Sequence, residues 1–174
     1  TGSGDLAMSV SAAVPGARVI GADFCAPMLA EARKRGLQEL IVTDGLSLPF
    51  PAQTFDALTI GYGLRNMADW EAALREFLRV LKPGGRLVIL DFSLPRFWLL
   101  RGPYRFYLHC VLPFLAGALT GNREAYAYLG DSIERFPSGD AMLQLISRNG
   151  FSEILWEPQF GGISSVYSGF RPKG

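Results

Sequence analysis

The chain has 174 residues and a formal charge of +1, enough for one domain with a real core and too balanced to draw it to nucleic acid. Hydrophobic residues make up 49% and charged residues 19%, which excludes an intrinsically disordered protein. The two cysteines, Cys25 and Cys110, form no CxxC and fit a reduced, cytoplasmic setting. No signal peptide is visible, and the longest apolar run, Phe106 to Leu119, is broken by His109 and Pro113. At 14 residues it is too short to span a bilayer, so membrane contact is expected to be peripheral.

In chain order, Thr1 to Ala7 reads as a turn entering a helix. Arg18 to Ala22 reads as a strand closing at Asp23. Pro27 to Arg35 is a helix with proline in its first turn and Gly36 as its stop. The triplet Arg33-Lys34-Arg35 ends that helix, where cations suit the dipole, and reads as a helix end and not a binding patch. Glu39 to Thr43 is a strand ending at Asp44, and Phe55 to Ile60 is another ending at Gly61. Next comes the strongest local signal. Asp69 is the N-cap of a helix whose apolar residues Trp70, Ala73, Leu74, Phe77, Leu78 and Leu81 share one face of a 3.6-residue period. Lys82-Pro83-Gly84-Gly85 stops it. Arg86 to Leu90 is then a strand apolar enough to be buried on both faces.

After Ser93 the pattern changes. Leu94 to Tyr128 is aromatic-rich and interrupted by Pro95, Gly102, Pro103 and Pro113, and reads as helical pieces forming a cap or insertion over about 94–137. Pro137-Ser138 opens a last helix with Ser138 as N-cap and Gly150 as its stop. Phe151 to Trp156 and Ile163 to Phe170 are strands joined around Gly161-Gly162. Strands alternating with helices predict an α/β fold with a mostly parallel sheet, in a single domain over 1–174. No strand precedes the first glycine turn, where a doubly wound sheet has its centre, so two unpaired inner edges are expected. Upstream residues, or another segment, are expected to fill that slot.

Gly2-Ser3-Gly4-Asp5-Leu6-Ala7 matches G-x-G-x-x-A, a turn that lets backbone and helix N-terminal amides approach a ligand. Asp23 lies 19 residues after Gly4, at the end of the next predicted strand, where a carboxylate can accept both hydroxyls of a ribose. This pair fits a nicotinamide cofactor as well as S-adenosylmethionine (SAM), and each part also has a structural reading, as a plain turn and as a helix cap. His109, the only histidine, lies in an apolar stretch and reads first as a core or lipid-facing side chain. No His, Cys and carboxylate cluster has metal-ligand spacing, and no Ser-His-Asp arrangement is present.

The helix, Lys-Pro-Gly-Gly turn and strand, with Asp44-Gly45, Leu48-Pro49-Phe50-Pro51 and Phe55-Asp56, resemble class I SAM methyltransferases and not dehydrogenases. The sharpest match is Thr59-Ile60-Gly61-Tyr62-Gly63-Leu64-Arg65-Asn66. It resembles the T-I-S-F-G-L-R-N segment of the C-methyltransferase family of menaquinone and ubiquinone biosynthesis. Thr1-Gly2-Ser3-Gly4-Asp5-Leu6, Leu90-Asp91-Phe92-Ser93-Leu94-Pro95, Tyr126-Ala127-Tyr128-Leu129 and Ser132-Ile133-Glu134-Arg135-Phe136-Pro137 extend the likeness over nearly the whole chain.

That resemblance implies a Rossmann-like sheet with an antiparallel last strand, its first strand missing from this chain. It implies SAM-dependent C-methylation of a prenylated quinol ring, with demethylmenaquinol ahead of the ubiquinol precursor, S-adenosylhomocysteine as the product and no metal. Rival readings are a class I methyltransferase for a soluble small molecule and a non-catalytic SAM-binding subunit. By the resemblance, Gly2, Ser3, Gly4, Asp23, Phe24, Asp44, Gly45 and Gly61 hold SAM. Arg65 stabilises the ring oxyanion, directly or through a water, and Asn66 orients the ring hydroxyl. Tyr62, Tyr107 and His109 contact the quinol. Gly61 stands where relatives usually have Ser, and Tyr167 where many have His, which puts a proton-transfer role there in doubt. Phe97 to Leu119 is expected to line a groove for the isoprenoid tail or to pack as a cap, with Arg96, Arg101 and Arg105 meeting lipid phosphates. The expected setting is the cytoplasm, at the inner face of the membrane, with no nucleic-acid partner and a homodimer left to test.

Overall fold

The computed structural model describes residues 1–95, 97–114 and 123–173, so Arg96 and the 115–119 end of the expected tail groove lie outside the described residues. In chain order the elements are α1 (Asp5–Ala13), β1 (Gly21–Asp23), α2 (Ala26–Lys34), β2 (Leu40–Val42), β3 (Phe55–Gly61), a 3₁₀ turn (Leu64–Asn66), α3 (Trp70–Val80) and β4 (Leu81–Phe92). Then follow α4 (Trp98–Phe106), a π-helical turn (Tyr107–Val111), α5 (Arg123–Arg135), α6 (Asp140–Arg148), β5 (Ser152–Gln159), a second 3₁₀ turn (Phe160–Gly162) and β6 (Ser164–Phe170).

The strands form two sheets. β1 pairs in parallel with β2, from Gly21 opposite Leu40 to Asp23 opposite Val42. The second sheet has the order β3-β4-β6-β5, with β3 and β4 parallel and β6 antiparallel to both its neighbours. This is the expected α/β architecture with an antiparallel last strand. Among the described residues no strand joins β1 to β3, and the apolar side chains divide the same way. One cluster gathers Leu74, Phe77, Leu87, Ile89, Met142, Ile146 and Tyr167 between α3, α6 and the larger sheet. A smaller one gathers Ala7, Ala32 and Leu37, with Val19 and Leu40 against it.

The α3 expectation holds for its cap and its buried face, while the helix closes at Val80 and Leu81 opens β4. The Asp69 carboxylate accepts the Ala72 N–H at 2.9 Å, and Ala73, Leu74, Phe77 and Val80 are buried. Lys82 to Gly85 ends the helix but stays within β4 as an irregular stretch, since the register steps from Phe55 opposite Leu81 to Ala57 opposite Arg86. Gly84 has φ +77°, and a Cβ on Gly85 would sit 2.8 Å from the Lys82 carbonyl oxygen. Arg171 satisfies the helix end: its Nη1 donates to the carbonyls of Leu78, Arg79 and Leu81 at 2.9, 3.2 and 2.7 Å.

Among the boundaries that differ from expectation, two have local reasons. β1 starts at Gly21 and not at Arg18, because its partner β2 begins only at Leu40 after the turn at Gly36. Ser138 does not cap α6. Gly139 takes that place with φ +60°, its N–H donating to the Tyr167 hydroxyl at 2.8 Å and its carbonyl accepting from Met142 and Leu143.

The polar edge of α3 holds the loop after β2. Glu76 accepts the Leu48 N–H at 2.7 Å, and Arg79 donates to the Phe50 carbonyl at 2.8 Å and to Glu76 at 2.7 Å. Arg79 holds the Glu76 carboxyl below the ordinary glutamate range, against the upward push of burial. A depressed acid contributes its stability above its unfolded pKa, about 4.3, and loses it as pH falls through the lowered folded value. Glu76→Ala is therefore expected to lower Tm at neutral pH and to flatten the fall in Tm below about pH 4. Melting curves across that range check this, and parallel acid slopes in the two proteins would refute it.

Candidate functional site

Sites in open α/β sheets lie beyond the carboxyl ends of the parallel strands. Here the ends of β1, β2 and β3 carry expected residues, in two groups.

The first group is the glycine turn and the acids that face it. Gly2 and Gly4 have φ of +56° and +93°. Gly4 is buried so tightly that a Cβ would come within 2.6 Å of Leu37 and 3.2 Å of Ala32. Asp23, at the end of β1, accepts the Gly2 N–H at 2.7 Å and the Cys25 N–H at 2.9 Å. Burial works to raise the Asp23 carboxyl, and those two N–H bonds work against it. Asp23 thus fixes the glycine turn from the end of β1. Phe24 beside it is 78% exposed, a free aromatic face. Asp44 is exposed at the end of β2 and accepts the Leu46 N–H at 2.9 Å, closing a turn at Gly45.

Ser3 donates to Asp5 at 2.7 Å. Arg35 pairs with Asp5 and donates to the Ser3 carbonyl at 3.2 Å, so it braces the glycine turn from the end of α2. Arg35 and Ser3 hold the Asp5 carboxyl down to about 2. Read from sequence, Arg35 was only a helix-end cation; its reach of 30 residues back to Asp5 has no local signal.

The second group follows β3. Gly61 links it to the first: a Cβ there would lie 3.2 Å from Leu6 of α1, so glycine lets the helix behind the glycine turn approach β3. Tyr62 has φ +54°, a left-handed conformation that a bulky residue holds only where its surroundings enforce it. Its ring centroid lies 4.6 Å from that of Phe92, and its hydroxyl is 3.4 Å from Ser164 Oγ. Arg65 donates through Nη1 to Asp91 Oδ1 at 2.8 Å and to the Tyr62 carbonyl at 2.6 Å, and its guanidinium lies 5.1 Å from the Phe92 ring centroid. Asn66 donates to the Tyr62 carbonyl at 3.4 Å and accepts the Tyr128 hydroxyl of α5 at 3.3 Å. Arg65 and Asn66 are thus brought together, with Tyr62, by one turn.

Asp91 is the residue that sequence reading missed. Its carboxylate is fully buried, and burial pushes it above the ordinary aspartate range although Arg65 pulls the other way. The available signal was an acid in step with Leu87 and Ile89, on the buried face of an otherwise apolar strand. Around it run small buried hydroxyls. Ser164 donates to the Asp91 carbonyl at 3.3 Å, and Ser93 donates to the Gly162 carbonyl at 2.7 Å.

His109 and Tyr107 stand apart from this turn, on the π-helical segment. His109 Nε2 lies 3.2 Å from Glu134 and Nδ1 lies 3.7 Å from Asp131, so the ring bridges to α5; Arg105 also pairs with Glu134, at 3.1 Å. Tyr107 is 42% exposed. Tyr167 is buried, with its ring parallel to Trp156 and its hydroxyl accepting the Gly139 N–H, which is a packing role.

The positive-φ glycines, the space denied to any Cβ at Gly4, and two acids at successive strand ends form a donor set that fits SAM: backbone room for its charged tail and carboxylates for its ribose and adenine. Residues 1–171 match the model of the ubiE/COQ5 methyltransferase family. The chain is 47% identical to the demethylmenaquinone methyltransferase of Thermus thermophilus, covering 99% of this chain and 80% of that one. It is 43% identical to the ubiquinone/menaquinone biosynthesis C-methyltransferase UbiE of Syntrophotalea carbinolica, covering 98% and 74%. Among solved structures it is similar to a SAM-dependent methyltransferase, possible histamine N-methyltransferase, from Thermotoga maritima, with a TM-score of 0.65, 22% identity and coverage of 98% and 78%. It is also similar to phosphoethanolamine N-methyltransferase 2 of Haemonchus contortus in complex with SAM, with a TM-score of 0.71, 16% identity and coverage of 98% and 47%. At these identities the two structures show the class I SAM methyltransferase fold.

Proposed function

The chain belongs to the ubiE/COQ5 methyltransferase family, a family of SAM-dependent enzymes, and from that premise we propose that it methylates a ring carbon of a prenylated quinol, demethylmenaquinol first. The near-full-length likeness to demethylmenaquinone methyltransferases carries this reading. The relative from Syntrophotalea carbinolica has both quinone pathways in its name, so the benzoquinol precursor is the second acceptor to try.

When bound, SAM supplies an electrophilic methyl group on a sulfonium sulfur. The residues of this chain would do the rest. Gly2, Ser3 and Gly4 give the backbone turn that receives the donor, and Asp23 and Asp44 accept its hydroxyl and amino hydrogens, with Phe24, Gly45 and Gly61 lining the same edge. A quinol carbon is a modest nucleophile until a neighbouring hydroxyl loses its proton. Arg65 would balance the resulting oxyanion, and Asn66, anchored to Tyr62 and Tyr128, would orient the hydroxyl. Tyr62, Tyr107 and His109 would meet the ring and the start of the tail.

No helix of the described residues is long and apolar enough to cross a membrane. The tail would come to the enzyme through α4. Trp98, Leu99, Leu100 and Phe106 there are each more than half exposed, Phe97 precedes them, and Arg101 and Arg105 lie among them. This supports peripheral contact with the inner face of the membrane by a single domain with a helical cap. The test is methyl transfer from labelled SAM to chemically reduced demethylmenaquinone and to a reduced demethylated benzoquinone. Turnover of the first is expected. SAM binding with neither quinol methylated would overturn the proposal in favour of a soluble acceptor.

A further inference from the structure

Asp91 occupies a position where a hydrophobic side chain would serve the fold. Along β4, Leu87, Ile89 and Asp91 fall on one buried face, and the first two belong to the main core. A carboxylate there is costly, and a buried ion pair is weak evidence of stabilisation, because well-packed apolar groups often do as well. What Asp91 holds is specific. Oδ1 accepts Arg65 Nη1 at 2.8 Å and the Phe92 N–H at 2.9 Å, while Oδ2 faces the Arg65 backbone N–H at 3.4 Å. One carboxylate therefore ties both the main chain and the side chain of Arg65 to the end of β4. Arg65 in turn donates to the Tyr62 carbonyl, which also accepts from Asn66. Arg65 is 10% exposed at its side chain, and its Nε is buried without a partner among the described residues. Among the described residues its side-chain hydrogen bonds run through Nη1, with the Phe92 ring 5.1 Å from the guanidinium.

We propose that Asp91 is the positioning residue of the acceptor side, fixing Arg65 and through it Asn66 in the arrangement that meets the quinol ring. The inference rests on the quinol methyltransferase reading. Asp91 itself does not touch the substrate; it acts through Arg65. The groups that face it are Arg65 from the 3₁₀ turn and, from β6, Ser164 at its carbonyl and Tyr167 nearby. When its carboxylate takes up a proton the clamp loses its ionic half, so activity should carry an acid limb that belongs to Asp91.

The test is kcat and quinol KM at saturating SAM, measured across pH for the wild-type chain, Asp91→Asn and Asp91→Glu, with Tm and SAM affinity taken in parallel. Asp91→Asn is expected to lower kcat by about 10- to 100-fold with quinol KM and SAM affinity within about 3-fold, and to lack the acid limb. Asp91→Glu is expected to recover part of kcat and to keep the limb. An active wild type with an unaltered rate or an unaltered acid limb in Asp91→Asn would overturn the inference alone. So would activity lost only in proportion to Tm and SAM affinity. If Asp91→Asn does not fold, Asp91→Glu decides: partial activity with a limb supports the inference, and wild-type or fully lost activity overturns it. A wild type inactive toward every quinol overturns the functional reading and this inference with it.

Discussion

Arg65→Ala is expected to lower kcat for a reduced prenylquinone by about 100-fold or more, the range typical of losing a preorganised oxyanion donor. SAM affinity should hardly change, because every contact of Arg65 described here lies on the acceptor side, to Tyr62, Asp91 and Phe92. The same substitution strands Asp91, and removing one partner of a buried pair costs about 3–5 kcal/mol while the other stays charged. The cost has a recognisable pH dependence. Burial already raises the Asp91 carboxyl with Arg65 beside it, and without Arg65 it rises further. A raised carboxyl leaves stability intact below its unfolded pKa, about 3.9, and removes it as pH climbs through the folded value. Arg65→Ala should therefore melt closest to wild type in acid and furthest from it in mild alkali. Melting curves at acid and alkaline pH, run with quinol kinetics, check both parts. A kcat within about 3-fold of wild type would remove Arg65 from the chemistry.

Gly4→Val should impair methyl transfer from the other side, by weakening donor binding. Two independent obstacles meet there. The backbone sits at φ +93°, which a β-branched residue does not adopt without strain, and a Cβ would lie 2.6 Å from Leu37 Cδ1 and 3.2 Å from the Ala32 methyl. Leu37 can swing aside; Ala32, fully buried in α2, cannot. Relief requires the start of α1 to move, and with it the Gly2 N–H that Asp23 accepts. The expected result is a loss of SAM affinity of at least about 10-fold, since the energy of such overpacking, roughly 1–3 kcal/mol, falls on the binding turn itself. Titration calorimetry with SAM measures it. Wild-type affinity in Gly4→Val would mean that the donor is held elsewhere.

The parts of this molecule legible in sequence are those encoded within a few residues. Asp69 caps α3 because its acceptor lies three positions from the N–H it receives. The period of Trp70 to Leu81 places one face on the core, and Gly2, Gly4 and Asp23 follow from spacing alone. The antiparallel last strand came with the family likeness. What stayed hidden depends on chain brought from far away. Asp91 looks like the polar end of a strand until Arg65, 26 residues earlier, is seen folded against it. Arg35 looks like a dipole cation until the glycine turn arrives beside it. Lys82 to Gly85 reads as a break, yet the Arg171 main chain bonds Gly84 and Gly85 at 2.9 and 2.8 Å and keeps the stretch in the sheet. Ser138 has the chemistry of a cap and Gly139 does not, but the chain takes a left-handed turn at Gly139, whose N–H the distant Tyr167 hydroxyl accepts.

Under the proposed function, the two exposed cysteines lie beside residues assigned to opposite ligands. Cys25 is exposed directly after Phe24, its backbone bonded to Asp23, and Cys110 is exposed on the π-helical turn beside His109. Each thiol would then be a native reporter for one ligand, with no label to engineer. SAM should slow alkylation of Cys25 and leave Cys110 untouched, and a prenylated quinol should do the reverse. Peptide mass analysis after brief treatment with iodoacetamide would then give the order in which donor and acceptor arrive. If either ligand shields both thiols equally, the two halves close together and not in turn.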